Sequence, residues 1–417
     1  MDLEINRSTA GEPGQGFDDD TIKRIHDEFE HLNFQYQTEL NQQLQKGVML
    51  FASATTRNNY HKNRYSNILA TESTRVKLIA HRDLFLDSDY INANYIDGEI
   101  PGSKKTYIAC QAPLPSTLSH FWLMLWENES AVIVMLTRLC ERERVKATAY
   151  WPEDVGEKKH FGPFCVTYVK GKIINTYLEQ RVFEVEHAGQ TRQIIQLHYT
   201  EWPDFGTPES TQTIRELVGL MDVYRMKGKL SGLGGPIVAH CSAGVGRAGT
   251  FVAIHICLEK MKYFNSLDQV IDIPRTVMLL RQSRTGMVQT PEQYRFIYDV
   301  VRDARQEFKE RAQRVFAAPG PSQVDGDFKR PHTTKRSKML DGEWVDPPRS
   351  LRSSCAACYT ASSSLSLASS SPYAVVAGDS SSSEASELYV SGPTTAEERR
   401  KAFATTEKKR RLSFSRS

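Results

Sequence analysis

Taken as a pattern of apolar and polar positions, the chain has a strand-rich centre followed by a helix-rich end. From Asp18 to about Glu39 the apolar residues Ile22, Ile25, Phe29 and Leu32 recur at helical spacing. They follow a run of aspartates whose charge suits a helix N-terminus. Short apolar or alternating runs occupy 76–80, 107–111, 131–137, 164–169, 181–185, 193–199 and 236–240, each bounded by polar or turn residues. Helical patterns fall at 117–127, 210–224, 249–263, 273–281 and 291–310. No internal repeat is found. The pattern predicts an α/β body built on one sheet.

Composition divides the chain further. A net charge of +3, from 53 basic and 50 acidic side chains, conceals an asymmetry. Residues 318–417 hold 15 basic and 11 acidic groups, leaving 38 and 39 for the rest. Those last hundred residues also contain 21 serines and no isoleucine, too little branched apolar surface to offset the entropy of ordering. The expected organisation is a flexible segment at 1–17, one folded domain at 18–312 and a disordered, Ser-rich basic tail at 313–417.

Seven cysteines, at 110, 140, 165, 241, 257, 355 and 358, are too scattered for a disulfide framework and favour a reducing compartment. The polar, acidic stretch 1–11 does not resemble a signal peptide. The longest apolar run, 121–136, is broken by Glu127, Asn128 and Glu129, so no transmembrane segment is expected. A cytoplasmic monomer with no nucleic-acid partner is the expectation.

The stretch that carries chemistry is PIVAHCSAGVGRAGTF, residues 236–251. Residues 237–239 are strand-like, Gly244 and Gly246 permit a tight turn, and the sequence from Thr250 onward is helical. A cysteine, five residues (Ser242, Ala243, Gly244, Val245, Gly246) and an arginine thus form a loop between a strand and a helix N-terminus. Such a loop turns successive backbone N–H groups onto an anion, with the helix dipole behind them. Arg247 adds a bidentate fork for two phosphate oxygens. Every neighbour of a thiol at the base of this nest favours the thiolate, so Cys241 reads as a nucleophile aimed at phosphorus.

A bare cysteine–arginine spacing would signify only a buried small residue, but here glycines, strand and helix all fall where the loop needs them. A nucleotide-binding glycine loop would need a Gly-Lys-Ser/Thr ending, which is absent. A thiol protease fits poorly, because His240 on a strand points away from Cys241. An acid for the leaving oxygen is available in EWPDFGTP (201–208), where Asp204 sits among Pro203, Gly206 and Pro208 on a loop suited to act as a lid. Alone, that aspartate would be an ordinary turn residue.

These residues resemble the classical protein tyrosine phosphatases, over roughly residues 20–310. The likeness rests on ordered motifs: KNRYSNI (62–68), DYINANYI (89–96), YIACQAPLPSTLSHFWLMLWE (107–127), KATAYWP (146–152), EWPDFGTP, HCSAGVGRAGTF (240–251) and QTPEQYRF (289–296). The single domain resembles the non-receptor branch. The resemblance implies a highly twisted mixed sheet flanked by helices, and hydrolysis of phosphotyrosine in proteins. It implies that Cys241 forms a cysteinyl-phosphate, that Arg247 clamps the equatorial oxygens, and that Asp204 is acid and then base. Gln289, with Gln293 secondary, would place the hydrolytic water. Tyr65 and Ile68 would wall a pocket deep enough for phosphotyrosine and too deep for phosphoserine. Glu141 would pair with Arg247 and Lys146 would approach Asp204, a plain surface salt bridge being the competing reading. Arg284 and Trp202 would be supports and a hinge for the lid, and His240 a hydrogen-bonding support. The motif residues 92–96 and 121–126 read as core and loop anchors. No group of His, Cys or carboxylates in the body has ligand spacing, so neither a metal nor another cofactor is expected.

Four positions depart from the family pattern. Ala248 stands where a Ser or Thr hydroxyl normally stabilises sulfur as the phosphoenzyme breaks down, which predicts slowed hydrolysis. Ala112 replaces a glycine, tolerable only where φ is negative. Asn67 replaces an aspartate that holds the substrate backbone, and so loses its charge. Glu72 replaces an aspartate, with a structural role expected. A phosphotyrosine-binding protein without turnover and a dual-specificity phosphatase are the alternatives. In the tail, Cys355 and Cys358 read as incidental or as acylation sites, and Arg410–Ser413 suits a basic-directed kinase. Lys408–Arg411 is a candidate nuclear-import or acidic-lipid patch, and Tyr359, Tyr373 and Tyr389 are candidate phosphorylation and partner-docking sites.

Overall fold

The computed structural model describes residues 16–81, 87–100, 107–264 and 271–317. All lie in the first of the chain's two units, Met1–Asp325; the second, Gly326–Ser417, is outside the described residues. So are the tail cysteines, tyrosines and basic runs and the disorder expected of residues 318–417.

Among the described residues, the chain builds eleven strands and six α-helices. The strands are β1 (Arg75–Lys77), β2 (Tyr90–Ile96), β3 (Tyr107–Cys110), β4 (Val132–Met135), β5 (Cys140–Glu141), β6 (Arg144–Val145), β7 (Lys158–Phe161), β8 (Phe164–Asn175), β9 (Leu178–His187), β10 (Gln190–Tyr199) and β11 (Ile237–His240). The helices are α1 (Asp19–Gln45), α2 (Leu118–Glu127), α3 (Thr211–Leu230), α4 (Arg247–Phe264), α5 (Ile273–Ser283) and α6 (Pro291–Ala317).

Nine strands form one twisted mixed sheet in the order β1-β2-β3-β11-β4-β10-β9-β8-β7, and β5 and β6 pair separately. The central four, β3, β11, β4 and β10, are parallel and the flanks are antiparallel. One face is packed by α1, α3, α4, α5 and α6, the other by α2 and the aromatic segment around Tyr150. Strand β11 is therefore buried on both faces, which is why it reads as a continuous apolar run. Ligand sites in such sheets gather at the carboxyl ends of the parallel strands, and Cys241 is the first residue beyond β11.

Local chemistry explains the helix starts. Asp18 caps α1 by accepting the Thr21 N–H at 2.7 Å, and Ser210 and Asp272 cap α3 and α5 in the same way. Ile25, Phe29, Leu32, Tyr36 and Leu40 bury one stripe of α1 against α5 and α6.

Several elements depart from the apolar pattern. The run 76–80 contributes only the tail of β1 before a turn, because only Arg75–Lys77 pairs with β2. Strand β2 interrupts its apolar residues with Asn92 and Asn94, which are buried and hydrogen-bonded, so periodicity alone concealed it. The pair β5–β6 is too short and charged to signal itself. Phe17, expected in the flexible lead, packs against the core beneath the Arg302 guanidinium, 4.5 Å from its ring. Helix α6 continues to Ala317, past the domain edge expected at 312.

Candidate active site

The 241–247 loop is the turn from the end of β11 into the N-terminus of α4. Alternation along β11 sends Ile237, Ala239 and Cys241 into the core beside α4, and Val238 to the other face. His240 follows Val238: its Nε2 meets the Tyr150 hydroxyl at 2.9 Å and its Nδ1 the Cys241 carbonyl at 3.1 Å. The carbonyl can only accept, so Nδ1 carries the proton and Nε2 accepts from Tyr150. Burial pushes the His240 pKa down to about 4. The ring is a neutral support for the loop.

Gly244 turns the loop at φ +75°, and a Cβ there would lie 2.1 Å from the Cys110 carbonyl oxygen, so only glycine fits. Its N–H donates to Cys241 Sγ at 3.3 Å. On the outside, Arg284 donates to the carbonyls of Gly244 (3.0 Å) and Ala243 (2.9 Å). Its other contacts are Asn94 Oδ1 at 2.7 Å and Asn92 Oδ1 at 2.6 Å, on β2. Arg284 thus braces the cysteine loop rather than the lid. Ala112 lies outside the left-handed region and donates its N–H to the Ser242 carbonyl, so the methyl replacing glycine is accommodated.

Arg247, only 3% exposed, lies at the centre of a charge cluster. Nη1 and Nη2 meet Glu141 Oε1 and Oε2 at 2.6 and 2.7 Å, a bidentate pair, and Nη2 also meets Asp204 Oδ1 at 2.8 Å. Lys146 Nζ donates to Asp204 Oδ2. Burial opposes the Arg247 charge, but Glu141, Cys241 and Asp204 more than offset it and its pKa is raised. Burial likewise raises the Asp204 carboxyl, yet the Lys146 hydrogen bond and the Arg247 charge outweigh it, and Asp204 sits below the usual carboxylate range. Glu141 is depressed in the same way by Arg247. The carboxylates, the lysine and the arginine therefore form one partly buried network rather than a surface pair.

The loop bearing Asp204 is docked at three points. Trp202, buried, donates Nε1 to the Gly206 carbonyl at 2.9 Å, Gln293 Nε2 reaches the same oxygen at 3.4 Å, and Thr290 Oγ1 donates to the Phe205 carbonyl at 3.2 Å. Gln293 also accepts the Gln289 N–H at 3.0 Å, so it ties lid to loop. Gln289 itself is exposed beside Gly246, where a Cβ would fall 2.4 Å from its Oε1.

The recognition segment approaches from the other side. Tyr65 and Ser242 share a hydrogen bond of 2.8 Å between hydroxyls, and the Ser242 hydroxyl donates to the Lys146 carbonyl at 2.7 Å. Ile68 is half-buried against the core and Asn67 is exposed. Glu72 accepts from Ser53 N, Ser53 Oγ and Arg75, the structural role expected of it. Val245, Gly246 and Ala248 are buried, Ala248 with only a methyl facing its surroundings.

The structure also gathers residues that spacing did not single out. Tyr150 supports His240 from 90 residues away, a contact no sequence pattern announces, while Asn92 and Asn94, expected as anchors, do their anchoring by accepting from Arg284. Asp222 on α3 joins His255 and Glu259 on α4, with one potential ligand atom from each within 4.8 Å. The i,i+4 spacing of His255 and Glu259 was the available signal. Lys262 answers both carboxylates, at 2.8 Å to Asp222 and 2.9 Å to Glu259, which makes the group a charge-compensated strut.

Among the described residues no helix is long and apolar enough to cross a membrane. Comparison with known proteins agrees with this geometry. A family model described as Protein-tyrosine phosphatase matches residues 59–303. Tyrosine-protein phosphatase 3 of Dictyostelium discoideum is 44% identical over 257 residues, 61% of this chain and 26% of that protein. Human tyrosine-protein phosphatase non-receptor type 2 is 37% identical over 242 residues, 58% of this chain and 55% of that protein. The chain thus spans only part of the length of these relatives. The solved catalytic domain of human protein tyrosine phosphatase non-receptor type 18 superposes with a TM-score of 0.62 at 31% identity, covering 69% of this chain and 98% of that one. A further solved structure shows that protein in complex with HER2 phosphopeptides, with a TM-score of 0.61 and 31% identity over 68% of this chain and 99% of that one. By its ordered motifs, its cysteine–arginine loop and the family match across most of its length, the chain belongs to the protein-tyrosine phosphatase family.

Proposed function

We propose that the chain hydrolyses phosphotyrosine in proteins through a cysteinyl-phosphate intermediate. The observation that carries this is the junction at β11–α4: a buried cysteine accepts a loop N–H, beside an arginine fork that two carboxylates hold in place. A phosphate dianion entering the nest takes up donors on Arg247. Asp204 then loses part of its cationic partner and gains a negative neighbour, and both changes raise its pKa toward protonation. The protonated carboxyl donates to the departing tyrosine oxygen as the Cys241 thiolate forms a bond to phosphorus and the P–O bond breaks. Water, placed by Gln289 and deprotonated by Asp204, next attacks phosphorus, releasing phosphate and the thiolate. The phosphotyrosine substrate class is supported by the peptide complexes of the non-receptor type 18 relative.

With Ala248 offering no hydroxyl to the leaving sulfur, the second step is the slower one. Wild type should release phosphate from a phosphotyrosine peptide and not from its phosphoserine counterpart, while Cys241→Ser releases none. No release by wild type would leave a phosphotyrosine-binding protein, and equal release from both peptides a dual-specificity enzyme. Ala248→Ser should raise steady-state turnover and shrink the phosphoenzyme burst; unchanged turnover would refute the slow second step.

A further inference from the structure

We propose that Arg281 is a positioning residue for Gln289. Anchored on α1, it holds Val288 in a left-handed backbone conformation and thereby aims the side chain that follows. This deepens the reading of Gln289 as the water-placing residue and rests on it.

Val288 has φ 61°, a conformation that a β-branched side chain avoids, and it precedes Gln289 directly. It is pinned from both ends of its peptide. The N–H donates to the Val245 carbonyl at 3.0 Å, within the cysteine loop. The carbonyl accepts from Arg281 Nη2 at 3.0 Å, and Arg281 Nε donates to the preceding Met287 carbonyl at 3.0 Å. The packing tolerates no slack: a Cβ on Gly249 would lie 2.7 Å from the Val288 nitrogen. Gln289 thus leaves a backbone whose direction is set by one guanidinium and one carbonyl of the nucleophile loop.

Arg281 is 4% exposed, and its charge is met by those two carbonyls and by two rings of α1. The guanidinium lies 5.2 Å from the Phe29 centroid and 5.9 Å from that of Tyr36. The Tyr36 hydroxyl closes the connection by donating to the Arg281 carbonyl at 3.1 Å. A side chain needed only to fill this space would be apolar, because burying a cation is costly unless its donors are used. Here they fall on two consecutive carbonyls just ahead of Gln289. Neither Cys241, Arg247 nor Asp204 contacts Arg281 through any of these bonds, and the ties from Val288 to the Val245 carbonyl and from Gln289 through Gln293 to Gly206 are ones that Arg281→Lys does not remove, so its loss should fall on the second step.

The test follows phosphoenzyme formation and decay by rapid quench with a phosphotyrosine peptide, in the full chain. Arg281→Lys should form phosphoenzyme at the wild-type rate and lose it about tenfold more slowly, since a small misplacement of a positioned group weakens catalysis steeply. As a result kcat and KM fall together and kcat/KM is unchanged. Tyr36→Phe, which keeps the ring and the core, should show the same selectivity with a smaller loss. In a Gln289→Ala background Arg281→Lys should add nothing to the slow decay. Equal slowing of both steps, or an undiminished Arg281→Lys effect without Gln289, overturns the proposal as a merely structural role would. If Gln289→Ala decays at the wild-type rate, the reading of Gln289 itself fails and the proposal falls with it. Slow decay in Gln289→Ala alone, with both other variants normal, rejects the Arg281 strap and leaves Gln289 in place.

Discussion

The 241–247 loop and the 202–208 loop meet at Arg247 but are held by different kinds of interaction. The first is almost wholly buried, continuous with β11 and α4, and braced from outside by the fully buried Arg284 through four hydrogen bonds. The second exposes Pro203, Asp204 and Phe205, carries Phe205 at φ 61°, and is secured by a few side-chain contacts and two ion pairs. Buried neutral acceptors around a guanidinium are insensitive to pH and salt, whereas half-exposed ion pairs respond to both. In the proposed reaction the 241–247 loop must keep its amides aimed at one point in every state. In the same proposal the 202–208 loop must move to release product, and half-exposed ion pairs are contacts that a phosphate can displace.

Disabling the brace should separate the two loops most clearly. Arg284→Met leaves the Ala243 and Gly244 carbonyls and two asparagine oxygens without their donor. It should cost about 3–5 kcal/mol of stability, since each buried acceptor left without a partner costs about 1–3 kcal/mol, together with most of the activity. Denaturant unfolding and phosphopeptide turnover check it; a stable, active variant would show that the loop keeps its shape unaided.

On the lid, the expected balance is reversed. Asp204→Asn should lower kcat/KM by about 10²–10⁴, the usual worth of a general acid, while unfolding stability barely changes. The ion pairs of Asp204 are fully present above the ordinary carboxylate range and lost as pH falls through its depressed value, so acid should loosen 202–208 before 241–247. Hydrogen exchange of the two segments against pH reads this directly. Because a general acid works only while protonated, Lys146→Met, which removes a cation that keeps Asp204 ionised, should move the alkaline limb of kcat/KM, which reports the first chemical step, to higher pH. An unmoved limb would mean that Lys146 acts only as a tether.

The smallest effect is expected at Phe205. Asparagine tolerates a left-handed φ, so Phe205→Asn should change stability by no more than about 1 kcal/mol and alter KM only slightly. A large fall in kcat would show that the exposed ring, rather than the backbone, matters for closure.

How much of this could be read beforehand differs by residue type. Cys241, Arg247 and Asp204 were legible because their motifs pair a reactive side chain with the glycines and prolines that shape its loop. Helix α1 was legible from Asp18 and a four-residue apolar stripe, whereas β2 was hidden because two buried asparagines occupy positions that an apolar pattern would fill. Arg284 was legible as important but assigned to the wrong loop. Arg281 and Val288 were not legible at all, since a left-handed valine and a guanidinium on two carbonyls leave no trace in spacing.

The sequence by itself therefore determined the local chemistry: which backbone segments turn, cap or alternate, and which side chains carry the groups that the proposed reaction calls on. These depend on near neighbours and on the restricted φ/ψ space of each residue. Only the tertiary structure decided which loop each support holds, how Asp204 is depressed between Arg247 and Lys146, and that the His240 ring is buried as a neutral partner of Tyr150. Those properties arise from burial and from charges brought together across 40 residues or more, and neither exists until the sheet is closed and its faces are covered.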